Sequence, residues 1–445
     1  MPLLTKEEAQ ALLKKVLAYS KADECQVNLY GIDGGNIRYA RNAVSTSGGN
    51  SSGQLQVSSA FGKRLGTATI NEYDDASLEK VVRRSEELAR LAPENPEYMP
   101  FLGPQDYGPE APTFEAATAA IDPKFRAEAV GKSLEISKSN HLIAAGFLEN
   151  DAAYSAIMNT KGLFAYSTST NVNFNVTLRT EDGTGSGYAS RGYNDVNQLD
   201  VAAATSIAAK KAAGSKGAKA LEPGKYTVIL EPAAGVVLLE QLAFNMDARS
   251  ADEGRSFLSK PGGKTKLGEK IMDDRVTIYS DPWDKRLPTT PWNGDGRPQE
   301  KTVWIDKGVV KNMYYSRFWA QKNNVKAVPG PDAMIMTGGD ASLEDLIKST
   351  EKGILVTRLW YIRPVDPQTL LFTGLTRDGT FYIENGEIKF PVKNFRFNES
   401  PVIMLNNLEA LGRPERIVSS ESNAHALIPP LKIRDFTFTS LSDAI

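Results

Sequence analysis

Six prolines fall between Ala92 and Pro112, at positions 93, 96, 100, 104, 109 and 112. Each removes a backbone donor and drives the residue before it toward extended backbone, so neither a helix nor a central strand can run through this stretch. The chain therefore reads as two stretches joined by an extended connection. At 445 residues it is also too long for one ordinary core.

The same order of elements is read on both sides of that connection. Thr5 with Glu8 has the form of a capping box, and Ala9, Leu12, Leu13, Val16 and Leu17 then recur at helical spacing. From Cys25 to Ile70 short alternating runs are broken by Gly34-Gly35, Gly48-Gly49 and Gly62, which predicts a meander of strands with glycine turns. Leu78, Val81, Val82, Leu88 and Ala89 restore the helical period. After the prolines come a helical stretch (Pro123 to Ser137), strand-like runs at Leu142–Phe147, Tyr154–Met158, Leu163–Ser167 and Val172–Leu178, and an Ala-rich helix from Ala202 to Ala213. Helix, strands, helix thus occurs twice, a weak internal repeat with little residue identity. Beyond Pro223-Gly224 one helix is followed by mostly β-like segments. The expected fold is α+β: an N-terminal α/β region over 1–220, with subregions 1–92 and 113–220 around a linker at 93–112, then a larger β-rich region over 221–445.

Composition excludes several classes of function. Lys and Arg total 52 against 54 Asp and Glu, without a block of five like charges, so no electrostatic footprint for nucleic acid is visible. The longest purely apolar run, Ala233 to Leu239, is far short of the roughly 20 residues that span a bilayer. The first twenty residues lack the apolar core of a signal peptide, so a soluble, cytoplasmic protein is expected. One cysteine, Cys25, excludes an internal disulfide and any multi-cysteine zinc site, and only His141 and His425 can supply imidazole. No GxSxG elbow, P-loop or strand-bound GxGxxG is present.

Several pieces, in order, resemble the TldD/PmbA metallopeptidase family, once described as modulators of DNA gyrase. They are FGKRLGTATINEYDDASLEKVVRRSEELARLAP behind Gly53, GSGYAS at Gly185–Ser190, LEPGKYTVILEPAAGVVLLEQL at Leu221–Leu242, Gly294-Asp295-Gly296-Arg297-Pro298, IDKGVVKNMYYSRFWA, GDASLEDLI, and EKGILVTRLW ahead of FYIENGEIKFPVKNF. The resemblance implies a two-domain protein that works as a homodimer or heterodimer around a shared chamber, in which a metal-bearing partner cleaves unfolded or precursor peptides.

In the metal-bearing branch of that family a helix carries HExxxH, with two histidines as zinc ligands and the glutamate as base. Laid on this chain, those six positions are Leu239, Glu240, Gln241, Leu242, Ala243 and Phe244. Leu239 and Phe244 offer no lone pair, so neither holds a metal in any protonation state. The family's third ligand is a cysteine ahead of a segment resembling Ile428-Pro429, and SSESNAHALIPPLKIRDFTFTS contains none. His425 is the one strong metal-binding side chain there, read as a polar or lining residue. Hence no cofactor is expected, zinc belonging to the metal-bearing branch alone. Leu238, Leu239, Leu242 and Met246 form an apolar stripe, and Phe244, about 140° from Leu239, is expected to point away from it toward a cleft.

The blander readings of the remaining residues are a buried inert thiol for Cys25, a capping or surface role for His141, and turn-forming surface for Asp273, Asp274, Asp281 and Asp284. The aromatic pieces Tyr314–Trp319 and Trp360–Arg363 suit a peptide-binding wall or core packing equally. The function expected is a non-catalytic subunit of a TldD/PmbA-type complex, paired with itself or with an HExxxH-bearing paralogue and holding peptide, with Glu240 standing idle at the place of the family base. The alternatives are a hydrolase built on Glu240, His425 and the Asp cluster, or a stand-alone peptide-binding protein.

Overall fold

The computed structural model describes residues 3–442. The capping box forms: the Glu8 amide donates to the Thr5 hydroxyl and the Thr5 amide donates to the Glu8 carboxylate. Helix α1 (Lys6–Ala18) then buries Ala9, Leu13 and Val16. Strands β1 (Glu24–Ala40), β2 (Ala43–Phe61) and β3 (Arg64–Ile70) follow, and then α2 (Asp75–Leu91). After the proline-rich connection and a short α3 (Ala116–Ala119), the order recurs as α4 (Pro123–Ser139), β4 (Leu142–Asn159), β5 (Phe164–Thr180), β6 (Ser186–Tyr193) and α5 (Val201–Gly214). All six strands join one sheet in the order β3-β2-β1-β4-β5-β6, with β1 and β4 antiparallel at its centre. The repeat is therefore one of topology, and the prolines connect two halves of a single sheet.

The glycine turns are only partly as expected. Gly62 is a turn residue with φ of 57°, but Gly34 and Gly35 lie inside β1, opposite Asn50 and Gly49 of β2. The turn between these strands is Arg41-Asn42, both with positive φ (52° and 60°), the two-residue form whose twist suits a hairpin. Distant partners hold Asn42 there: its Nδ2 donates to the Leu142 carbonyl, while its Oδ1 accepts from the Ala144 amide and the Ser137 hydroxyl.

Two other glycines show how the repeat is built. A Cβ on Gly66 of β3 would lie 2.1 Å from the Ala89 amide nitrogen in α2. One on Gly187 of β6 would lie 2.1 Å from the Ala208 carbonyl oxygen in α5. In each half the outer strand touches the backbone of its closing helix, and only hydrogen fits between. Gly187→Ala should accordingly destabilise the protein by about 3 kcal/mol, the upper part of the overpacking range, because neither backbone can rotate away. Urea unfolding measures this, and a change below about 0.5 kcal/mol would show that strand and helix can separate.

The helices cover one face of the sheet, over Val27, Leu29, Leu55, Leu148 and Phe174. Alternation along the strands places Asn28, Gln54, Gln56, Ser155, Asn171 and Asn173 on the opposite face, which is polar. That face looks toward the C-terminal region, where Asn28 Nδ2 donates to the Gly294 carbonyl at 2.9 Å.

The C-terminal region opens with β7 (Gly224–Leu230) and α6 (Pro232–Phe244). Strand β7 pairs with Lys352–Asp366 on one side and Leu431–Leu441 on the other. Lys352–Asp366 pairs in turn with Leu371–Glu384, that strand with Phe395–Glu399, and Phe395–Glu399 with Leu431–Leu441. Five strands thus close into a ring, which removes the free edges an open sheet would present. Phe395, Phe397, Phe436 and Phe438 are buried against one another from neighbouring strands. A second, six-stranded sheet includes Met334–Met336 and the hairpin of Glu415–Val418 with His425–Ile428. Helix α6 packs between the Lys352–Asp366 strand and that hairpin. The molecule is α+β with a β-rich C-terminal region.

Candidate functional site

Helix α6 is held by residues distant from it in sequence. At its N-cap the Glu231 carboxylate receives Lys211 Nζ of α5 at 2.5 Å and Thr357 Oγ1 at 3.3 Å, a pair largely withdrawn from solvent. The body of the helix is apolar almost all round, the pattern of a buried helix. Leu239 is wholly buried with Leu238, Leu242 and Met246 in the main core. Phe244, the last residue of the helix, is 55% exposed, and its carbonyl accepts from the Tyr314 hydroxyl at 2.8 Å.

Glu240 is 5% exposed. Its two carboxylate oxygens are each taken by a serine hydroxyl, Ser419 at 2.8 Å and Ser422 at 2.9 Å, from the segment that joins the strands of the 415–428 hairpin. Burial pushes the Glu240 carboxyl up, the two serines pull it partly back, and nearby Glu421 adds to the rise. The serines come from the SSES of the closing stretch, and no local pattern there signals a meeting with this helix.

His425 stands on the same hairpin but faces different neighbours. Its Nδ1 lies 3.0 Å from Arg416 Nη2, and because a guanidinium only donates, Nδ1 accepts and the ring proton sits on Nε2. Burial, aided by the Arg416 cation, pushes His425 down to about 3, so the ring is neutral at physiological pH. Arg416 is 9% exposed and was not singled out by sequence. Its Nη2 also donates to Asn194 Oδ1 at 2.7 Å and its Nη1 to the Arg286 carbonyl at 3.2 Å, while its Nε is buried with no partner among the described residues. Burial lowers it to about 10, still a cation at neutral pH.

These side chains border a cleft between the polar sheet face and the C-terminal region. One cavity of about 320 Å³ is lined by Arg416, His425, Asn171, Asn194 and Asp332. A neighbouring cavity of about 340 Å³ is lined by Asn28, Tyr30, Gln54, Gln56 and Trp292, and Asp332 and Thr290 border both.

The other sequence candidates fall elsewhere. Cys25 is fully buried, and burial pushes its thiol up, away from the reactive thiolate. His141 is exposed at the α4–β4 junction with φ of 54°, a capping position. The four aspartates do not converge: Asp273 pairs with Arg275, Asp274 with Lys270, Asp281 with Lys301 and Asp284 with Arg286. Trp319 is buried and donates to Asp252 at 2.7 Å, whereas Tyr361 is exposed beneath the Arg363 guanidinium. Among the described residues no helix is long and apolar enough to cross a membrane.

Residues 223–440 match the PmbA/TldA metallopeptidase C-terminal domain and residues 114–216 the central domain of the same proteins. The chain belongs to the PmbA/TldD family. A metalloprotease of Methanothermobacter thermautotrophicus is 24% identical over 287 residues, which are 59% of this chain and 61% of that protein. Metalloprotease PmbA of Escherichia coli O157:H7 is 27% identical over 173 residues, 38% of this chain and 37% of the relative. The chain therefore matches less than two thirds of the length of either. In fold it is similar to TldE from Thermococcus kodakarensis, with a TM-score of 0.85 at 19% identity over 97% of this chain and 99% of that one. It is likewise similar to a Bacteroides thetaiotaomicron protein described as a candidate modulator of DNA gyrase, with a TM-score of 0.84 at 21% identity over 99% and 100%.

A PmbA/TldD peptidase metal does not fit the residues found here. Leu239 is in the core and Phe244 is a phenyl ring at the surface, so neither donates, and the oxygens of Glu240 are engaged by Ser419 and Ser422. Among the described residues no group of three or more His, Cys, Asp and Glu could hold an ion.

Proposed function

We propose that this PmbA/TldD protein is a non-catalytic subunit of a metallopeptidase complex, assembled with itself or with an HExxxH-bearing paralogue in the cytoplasm, and that in the mixed complex it holds unfolded or precursor peptides beside the paralogue's metal. The observation that carries this reading is the state of Glu240. In the family the base works on a metal-bound water. Here Glu240 is buried, hydrogen-bonded to two serines, and flanked at the two ligand positions by Leu239 and Phe244, so nothing in this chain places a metal-bound water within its reach. The polar cleft supports the holding role, because its Asn, Gln and Ser side chains can meet the donors and acceptors of an extended peptide.

Untagged protein, purified alone and mixed with such a paralogue, tests the assignment. Elemental analysis should find well under one zinc per chain in the isolated subunit, and light scattering should find a dimer or a mixed complex, whose interface usually exceeds roughly 1,000 Å². One tightly held zinc per chain with His425 among its ligands, or a monomer under both conditions at micromolar concentration, contradicts it.

A further inference from the structure

We infer that the cavity at Arg416 binds the free carboxylate at the C-terminus of a peptide, whose chain then runs past Asp332 into the neighbouring cavity. The inference rests on the peptide-holding role proposed above and gives that role a polarity and an anchor.

Arg416 is withdrawn from solvent without a carboxylate partner among the described residues: its hydrogen bonds go to a carbonyl, an amide oxygen and a neutral imidazole. A buried cation is normally paired, because neutral dipoles replace only part of its lost hydration. Its Nε is buried and bonded to nothing among the described residues. Beside it the neutral His425 ring keeps its proton on Nε2, a second donor without a partner among the described residues, and both residues border the same cavity of about 320 Å³. A carboxylate in that space would supply the missing charge and two acceptors.

Asp332 explains the direction of the chain. It is exposed where the two cavities meet and forms no ion pair among the described residues. It would repel a second carboxylate, so the ligand's anionic group belongs at the Arg416 end, while backbone amides passing Asp332 can donate to it. Beyond it the second cavity offers neutral polar groups, Asn28, Gln54, Gln56 and Ser155, and no cation. Such a lining suits main chain and places no further demand on charge.

Fluorescence polarisation on the isolated full chain separates the possible sources of the carboxylate. The probe is an N-terminally labelled hexapeptide of Ala, Ser and Gly with a free C-terminus, compared with its C-terminal amide and with an amide ending in Asp. The free acid should bind ten- to a hundredfold more tightly than the plain amide, the range for hydrogen bonds to a charged group. The Asp-terminated amide should follow the plain amide, since its carboxylate is displaced along the chain. Arg416→Lys, which keeps the charge but loses the planar fork, should narrow the preference for the acid over the amide. Equal binding of acid and amide by the wild-type chain overturns the inference, whether or not the variant folds, and so does an Asp-terminated amide that matches the acid. The assay uses no partner and no cleavage, so failure here leaves the non-catalytic assignment standing, and the reverse also holds.

Discussion

Lys211→Met is expected to lower the unfolding free energy by about 3–5 kcal/mol, the usual loss when one member of a buried ion pair is removed. Lys211 of α5 and Glu231 at the head of α6 keep only 13% and 11% of their side-chain surface exposed. Methionine fills much of the space of the lysine stem, so the loss comes chiefly from leaving the Glu231 carboxylate buried with Thr357 as its one remaining side-chain partner among the described residues. The positive end of α6 offsets part of that loss, because a carboxylate at a helix N-terminus is favoured by the helix dipole. Adding Glu231→Gln should therefore recover a large share of the stability, since it removes the stranded charge. Urea denaturation of the wild type, the single and the double variant measures this. A loss under about 1 kcal/mol for the single variant would place the pair among the weak surface bridges and remove α5 as an anchor for α6.

What could be read from the residues depended on range. The capping box of Thr5 and Glu8 and the stripe of Leu238, Leu239, Leu242 and Met246 are local patterns, and both appear where the spacing placed them. The doubled order of helix, strands and helix was also legible. That β1 and β4 would pair into one sheet was not, because pairing is decided by partners more than a hundred residues apart. Gly34-Gly35 misled for a physical reason. Glycine serves equally where a chain must turn and where something must come close, and a Cβ on Gly35 would lie 2.5 Å from the Arg126 guanidinium carbon. The true turn contains no glycine, since Asn42 is held at positive φ by contacts with Leu142, Ala144 and Ser137. In the site, Leu239, Glu240 and Phe244 were legible as positions, but the serines that engage Glu240 lie 179 and 182 residues away. Arg416 carried no signal at all. Its interest lies in a buried Nε and a charge without a carboxylate partner among the described residues, which only the folded arrangement reveals.

Whether Glu240 takes part in chemistry is measured directly by a peptide-cleavage assay on the assembled complex. Glu240→Gln in this chain keeps the shape of the side chain and an oxygen for one of the two serines, so turnover should stay within about twofold once folding and assembly are verified. The same change at the HExxxH glutamate of the partner should reduce turnover by roughly 10² to 10⁴, the usual contribution of a general base. Leu239→His combined with Phe244→His should leave this chain inactive alone, because the third ligand and the hydrogen bonds that orient metal-bound histidines are missing. A fall of about a hundredfold from Glu240→Gln in this chain alone, with the complex intact, would contradict the non-catalytic assignment and make Glu240 a working residue.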